Sequence, residues 1–207
     1  MLLVDFYTTM KNYSTYLKII IPSVICILGL PFIENIDFYP LLFGIVIGII
    51  NWNAHKFKPL IGCFLSIVIS YTSYGIGLLS FAFYLFILEF LNENMNYAVT
   101  IDIHGAYGYI LAPFIIAPIV LFLLYKFVFD IPKTNITSFT IVISIVLLTT
   151  QSYFLIIENN YTFQTEKFVI WDPYVIWQVV MALALQVIIY QNEIASFYSK
   201  QTESLAD

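Results

Sequence analysis

The chain has 207 residues, 61% of them hydrophobic and 10% charged, with a mean hydropathy of +0.90 and a formal net charge of −5. A soluble domain carries about 25% charged residues, and folding at this size leaves roughly a third of the unfolded-chain surface in contact with solvent. That much apolar surface cannot be kept from water, so a soluble globular fold is excluded and lipid is part of the solvent.

All eight basic residues are Lys. Lys is a point charge and lacks the planar fork with which Arg clamps phosphate or carboxylate. Direct nucleic-acid contact is therefore not expected, and membrane lipid is the first partner. An AT-rich genome depletes Arg codons, which suggests a bacterial source and a place in the bacterial inner (cytoplasmic) membrane.

In chain order, Leu3, Phe6, Met10, Tyr13 and Leu17 recur at helical spacing. They predict a short interfacial helix leading into the first span rather than a cleavable signal, because neither a basic leader nor a small-residue cleavage site accompanies them. Six apolar segments follow, at approximately 17–33, 38–53, 59–91, 106–129, 138–157 and 173–190. They predict an all-α, polytopic integral membrane bundle in one domain. Several fall short of the ~20 residues a perpendicular span needs, so Lys18, Lys56 and Lys58 are expected to snorkel, or the bilayer to thin. Pro40, Pro59 and Pro173 fall in first turns, where a missing N–H is harmless. Asp172 is the expected cap of the last helix, and Thr137 or Ser138 that of the fifth.

The third segment, 59–91, carries no charge before Glu89. As one helix it is about 50 Å long, against ~30 Å of hydrocarbon, so a single tilted helix, a broken helix and two short spans are all open. Cytoplasmic loops collect Lys. Counting this segment as one span puts Lys11, Lys18, Lys56, Lys58, Lys126, Lys133 and Lys200 inside and only Lys167 outside. Splitting it scatters them. The expectation is therefore six spans with both termini in the cytoplasm. The outer face then holds Glu34, Asp37, Glu89, Glu93, Asp102, Glu158, Glu166 and Asp172, an acidic mouth that attracts cations.

Small residues mark candidate helix seams: Gly44 and Gly48 in the second segment, and Gly62, Ser66 and Ser70 in the third. Close packing replaces the hydrophobic effect between helices in lipid, so these positions serve packing within the chain, self-association or a protein partner. Helix breaks are expected at Gly75 and Gly77, amid Tyr71, Ser73 and Tyr74, and at Pro113 and Pro118, where freed carbonyls look for other donors. Thr149, Thr150 and Gln151 cluster in the fifth segment, and Gln178 and Gln186 lie on one row of the sixth. They read as interhelical hydrogen-bond glue or as the polar lining of a solute path.

The stretch 92–104 alternates apolar and polar residues, which predicts a short strand with Asp102 and His104 on one face. Glu89 and Glu93, one helical turn apart, could join them as metal ligands. Four ligands would have to converge from two elements, so a solvated acidic helix end is the expectation and no metal or other cofactor is anticipated. Cys26 and Cys63 sit at different depths without redox or metal spacing. The nucleophile-elbow and zinc-helix motifs of hydrolases are absent, and no span carries an ionisable residue at its middle, where coupling groups of ion-driven transporters lie. The reading is a non-catalytic accessory or scaffold protein acting with a partner system such as defence or uptake. The alternative is a passive pore or substrate-binding subunit for a cation or small neutral solute.

Overall fold

In a computed structural model the chain is a helical bundle, described over residues 2–33, 35–95, 101–155 and 172–196, with side chains from Ser14 in the first helix and from Gly105 in the fourth. Helix α1 spans Leu2–Gly29 and α2 Tyr39–Ile50, joined by 3₁₀ turns at Leu30–Phe32 and Ile36–Phe38. Helix α3 spans Pro59–Met95, α4 Ile101–Leu111 and α5 Ala117–Val128, the last two continuous through a π turn at Ala112–Ile116. Helices α6, Asn135–Tyr153, and α7, Pro173–Ile189, complete the order. Among the described residues the one pairing outside helices is an isolated antiparallel bridge between His55 and Phe129.

Four segments are long and apolar enough to cross a membrane: Ser14–Phe32, Pro59–Glu93, Gly105–Val128 and Asn135–Tyr153. The apolar helices at Ile36–Ile50 and Pro173–Ile189 are shorter. Lipid-facing surface is plain on α3, where Leu79, Phe83 and Phe86 are 71%, 64% and 63% exposed; soluble monomers seldom expose contiguous apolar patches of this kind.

Several expectations change. Helix α1 is continuous from Leu2 to Gly29, so no joint separates an interfacial helix from the first span. Helix α3 runs unbroken through Gly75 and Gly77; the i→i−4 ladder tolerates glycine at a cost of about 1 kcal/mol each, and no proline interrupts it. Residues 101–104 begin α4 instead of ending a strand: the apolar–polar alternation is too short to outweigh helix continuity with Gly105–Leu111. The cap of α6 is Thr134, whose side chain accepts from the Thr137 N–H at 3.1 Å, three residues before the expected position. The expected cap of α7 needs no revision: Asp172 accepts from the Tyr174 N–H at 2.8 Å. Glu34, residues 97–100, Glu158, Glu166, Lys167 and Lys200 lie outside the described residues, as do the side chains of Lys11, Asp102 and His104.

The core gathers Phe43 and Ile47 from α2, Leu121 and Tyr125 from α5, Leu148 from α6, and Met181 and Leu185 from α7, with Cys26 of α1 fully buried among them. Helices α2 and α3 meet backbone to backbone. A Cβ on Gly44 would lie 2.6 Å from Ile67 Cα, and one on Gly48 2.8 Å from Cys63 Cα. The small-residue face of α2 is thus filled by the chain's own α3. Helix α7 closes the bundle against α1, where the Ser23 hydroxyl donates to Val179 O at 3.2 Å, and against α6.

Candidate functional site

The two ends of the bundle differ in chemistry. One end carries Lys18, Lys56, Lys58, Lys126 and Lys133. There the turn after α2 docks on the end of α5. The Lys56 N–H donates to Val128 O at 2.8 Å, and Lys56 Nζ donates to Lys126 O at 2.8 Å and pairs with Asp130 at 3.2 Å. An ammonium on the last carbonyls of a helix also answers its negative dipole end. His55 stacks on Phe129 at 5.0 Å and covers Gly62, whose absent Cβ would fall 2.2 Å from the ring. Its Nδ1 donates to Trp52 O at 3.1 Å. Burial holds the His55 pKa below the usual imidazole value, partly offset by that backbone hydrogen bond.

At the opposite end a cleft opens among the start of α2, the middle of α3, the π turn and the start of α7. Its cavity is small, with about 50 Å³ open to the centre of a water molecule. Tyr39, Phe43, Tyr74, Phe81, Tyr109, Tyr174 and Trp177 supply an aromatic lining, with Gly77, Pro113 and Ala117 forming one wall. The wall is close-packed: a Cβ on Gly77 would stand 3.2 Å from the Ala117 Cβ, a tight approach that a shift of a few tenths of an ångström would relieve. The Tyr109 and Tyr174 hydroxyls are hydrogen-bonded to each other, and Tyr74 donates to Asp37 Oδ1 at 2.9 Å. Gln178 is 2% exposed; its Nε2 donates to Tyr39 O at 3.0 Å, and its Oε1 is buried with no partner. The Trp177 indole N–H is likewise buried without an acceptor.

The residues singled out by sequence divide between this cleft and other places. Tyr74, Gly77, Ser70, Pro113 and Gln178 line it. Ser73 does not: its hydroxyl donates to Ala117 O at 2.7 Å, so it ties α3 to the start of α5. Tyr71, 37% exposed, faces outward, and Gly75 stands in open space. Ser70 donates to Ser66 O at 2.8 Å, and Tyr125 reaches the same carbonyl at 3.3 Å. Pro118 is buried at the start of α5, beyond the π turn that holds Pro113. Thr149 bonds back to Ile145 O at 2.7 Å within its own helix, and Thr150 is exposed. Both amide atoms of Gln151, and both of the fully buried Gln186, are without partners, and neither residue lines the cleft. Glu89 and Glu93 are exposed, and among the described residues no group of three potential metal ligands comes together.

Sequence reasoning missed Tyr39, Tyr109, Tyr174 and Trp177. Tyr and Trp concentrate at membrane interfaces as a matter of course, so their positions near helix starts carry no distinguishing signal; only the fold puts them around one space. No known protein-family model, curated protein or solved structure matches this chain.

Proposed function

We propose that the chain is a six-span integral membrane protein of the bacterial cytoplasmic membrane, with both termini inside, and that it works by holding a small solute in the aromatic cleft. The observation that carries the reading is an aromatic, mostly apolar cleft that has among its lining residues Gln178, whose Oε1 is a buried acceptor without a partner. Such an atom costs about 1–3 kcal/mol while unpaired, and a guest with a donor group relieves that cost. A mostly apolar concavity with a few polar groups on its walls is the usual form of a small-molecule site.

Six spans are favoured because the short helices α2 and α7 contribute Phe43 and Met181 to the same core as the long ones. The clustering of Lys at the bundle end opposite the cleft supports both termini inside. A reporter active only in the cytoplasm is expected to work after Lys58, Lys133 and Asp207 and to fail after Glu93 and Glu166. Activity after Glu93 would overturn the orientation.

The functional test is solute binding and flux in liposomes for wild type and Gln178→Leu. Leu removes the orphan acceptor and one hydrogen bond of roughly 0.6 kcal/mol, so stability should move by less than about 1 kcal/mol while binding is lost. No binding by the wild-type chain across a panel of cations and neutral solutes would sink the reading. A partner-dependent accessory role would then stand.

A further inference from the structure

Helix register and length locate the water–lipid boundary at the cleft end. Along their seam α2 and α3 run antiparallel, with Gly44 against Ile67 and Gly48 against Cys63. Continued seven residues from Gly44 towards the cleft, that register sets Asp37 level with Tyr74, and the Tyr74 hydroxyl does donate to Asp37 Oδ1 at 2.9 Å. Asp37 and its neighbour Asn35 are exposed. Helices α1 and α7 end near the same height. Gly29, the last residue of α1, lies against Leu42, and Gln178, five residues after the start of α7, bonds Tyr39 O.

Helix α3 does not stop there. Its first charge, Glu89, comes fifteen residues after Tyr74, roughly 22 Å farther along the helix. Over this stretch α3 packs on α4, with Phe81 against Tyr109 and Gly108 against Tyr84. Its other side carries the exposed Leu79, Phe83 and Phe86, which extend the lipid-facing row of Leu60 and Phe64.

A level membrane surface cannot serve both helices. Set at Glu89, it leaves Asn35 and the Asp37 carboxylate deep in hydrocarbon, where ionisable groups are expensive. Set at Asp37, it leaves Leu79, Phe83 and Phe86 together in water, a patch that wetted surfaces avoid. Tilting the bundle does not reconcile them. Packed helices lie about 8–10 Å apart, and Phe86 stands about 18 Å beyond the level of Tyr74. Levelling that difference takes a tilt of roughly 60°, against about 0–40° for spans in general.

Resting on the six-span reading above, we infer that this protein steps the bilayer surface. Phospholipid headgroups and water come down to Asp37 at the starts of α2 and α7, while acyl chains still cover Phe83 and Phe86 on α3. The segment Ile36–Ile50 measures about 22 Å, against ~30 Å of hydrocarbon, and a short span thins the bilayer around it at modest cost. Tyr39, Tyr174 and Trp177 lie within about a turn of this level, and Tyr and Trp are the residues that gather at water–lipid boundaries. Ile36, Tyr39 and Pro40 also line the cleft. The step therefore brings the headgroup layer to the edge of the cleft, and a guest reaches it without crossing hydrocarbon.

The experiment attaches a water-soluble maleimide to single introduced thiols in the full chain in nanodiscs, with wild type giving the background from Cys26 and Cys63. Asp37→Cys is expected to react at least tenfold faster than Phe83→Cys, although Phe83 stands nine residues beyond Tyr74 on α3. Phe83→Cys should stay at the wild-type rate. Phe83→Trp should add fluorescence that lipids brominated on their acyl chains quench, which assigns the cover over that position to lipid. Should Asp37→Cys lose its fold with the Tyr74 bond, Asn35→Cys carries the same measurement.

Equal, fast rates at 37 and 83 put α3 and α4 in water beyond a level surface. Background rates at both put Asp37 in hydrocarbon. Added fluorescence that is not quenched puts protein over Phe83. Each of these overturns the step. Failure of the six-span reading shows separately, as an inactive reporter after Lys58, and the labelling does not depend on whether any solute binds.

Discussion

The two ends of this bundle solve the same problem in opposite ways. At the Lys-bearing end most of the polar groups are used to dock one helix end on another, although Asn51 Oδ1 and His55 Nε2 stay buried without a partner. Lys56 caps α5, Thr134 caps α6, and the Thr134 and Thr137 hydroxyls are bonded with Gln191. At the tyrosine end a comparable set of polar side chains surrounds a cavity, and Gln178 and Trp177 each keep one buried atom unpaired. Orphan polar atoms in a low-dielectric setting are costly; what sets the tyrosine end apart is that two of the residues carrying them line one shared space.

Glycine substitutions give the largest test of that contrast. Gly48→Val should be severely destabilising, by at least ~3 kcal/mol, because the side chain would be driven into the backbone of α3 at Cys63 and a packed seam does not yield cheaply. Gly77→Ala, at the cleft, should cost less than about 1 kcal/mol, since the new methyl is tight only against the Ala117 Cβ at 3.2 Å, its other neighbours lying at 3.7 Å or more, and helix propensity improves. Thermal unfolding in detergent compares the two. Equal losses would mean that the cleft wall is as tightly packed as the seam.

Gln186 is where the contrast is weakest. It lies on α7 one turn before Tyr190, is 0% exposed, and has neither amide atom paired. If it has no guest to serve, Gln186→Leu replaces two orphan atoms by an isosteric apolar group and should stabilise the protein by about 1 kcal/mol. A destabilisation of similar size would show that the amide is part of a polar path continuing inward from the cleft.

The smallest effect concerns acid. The folded His55 binds its proton less readily than the unfolded chain, because its ring is partly buried on Phe129. The unfolded state therefore takes up a proton first as pH falls below its usual value near 6.5. Stability from this group is complete above that pH and is lost progressively on going below it, down to the folded pKa. Unfolding temperatures from pH 7.5 to 5.5 should fall more for wild type than for His55→Gln; parallel curves would remove His55 from the clasp.

The helices and their lipid-facing character were legible in the sequence because they rest on composition and on proline and aspartate at helix starts, which are local signals. Placement of the α6 cap was not: the sequence reading offered Thr137 or Ser138, but the chain turns helical one step after Thr134, whose extended backbone lets its hydroxyl accept from the Thr137 N–H. Gly75 and Gly77 look alike in sequence, yet one faces open space and the other a helix wall. Half of the site was visible as isolated polar residues: Gln178 and Tyr74 were read from their spans, while their gathering with Tyr109 and Trp177 depends on four chain segments far apart. Gln186 shares a helical row with Gln178, but row membership says nothing about where a cavity ends.

The closure of the bundle by α1 on α7 has a consequence for how the protein is made. The first helix leaves the ribosome long before its partner, and at about 5–20 residues per second the chain between Gly29 and Ile189 takes roughly ten to thirty seconds to follow. During that interval Ser23 has no Val179 carbonyl to bond and must turn back to its own helix, while Cys26 and Leu30 face lipid or the insertion machinery instead of the core. The buried face of α1 thus has to be compatible with two environments in succession, and its modest polarity, one Ser among apolar neighbours, suits both.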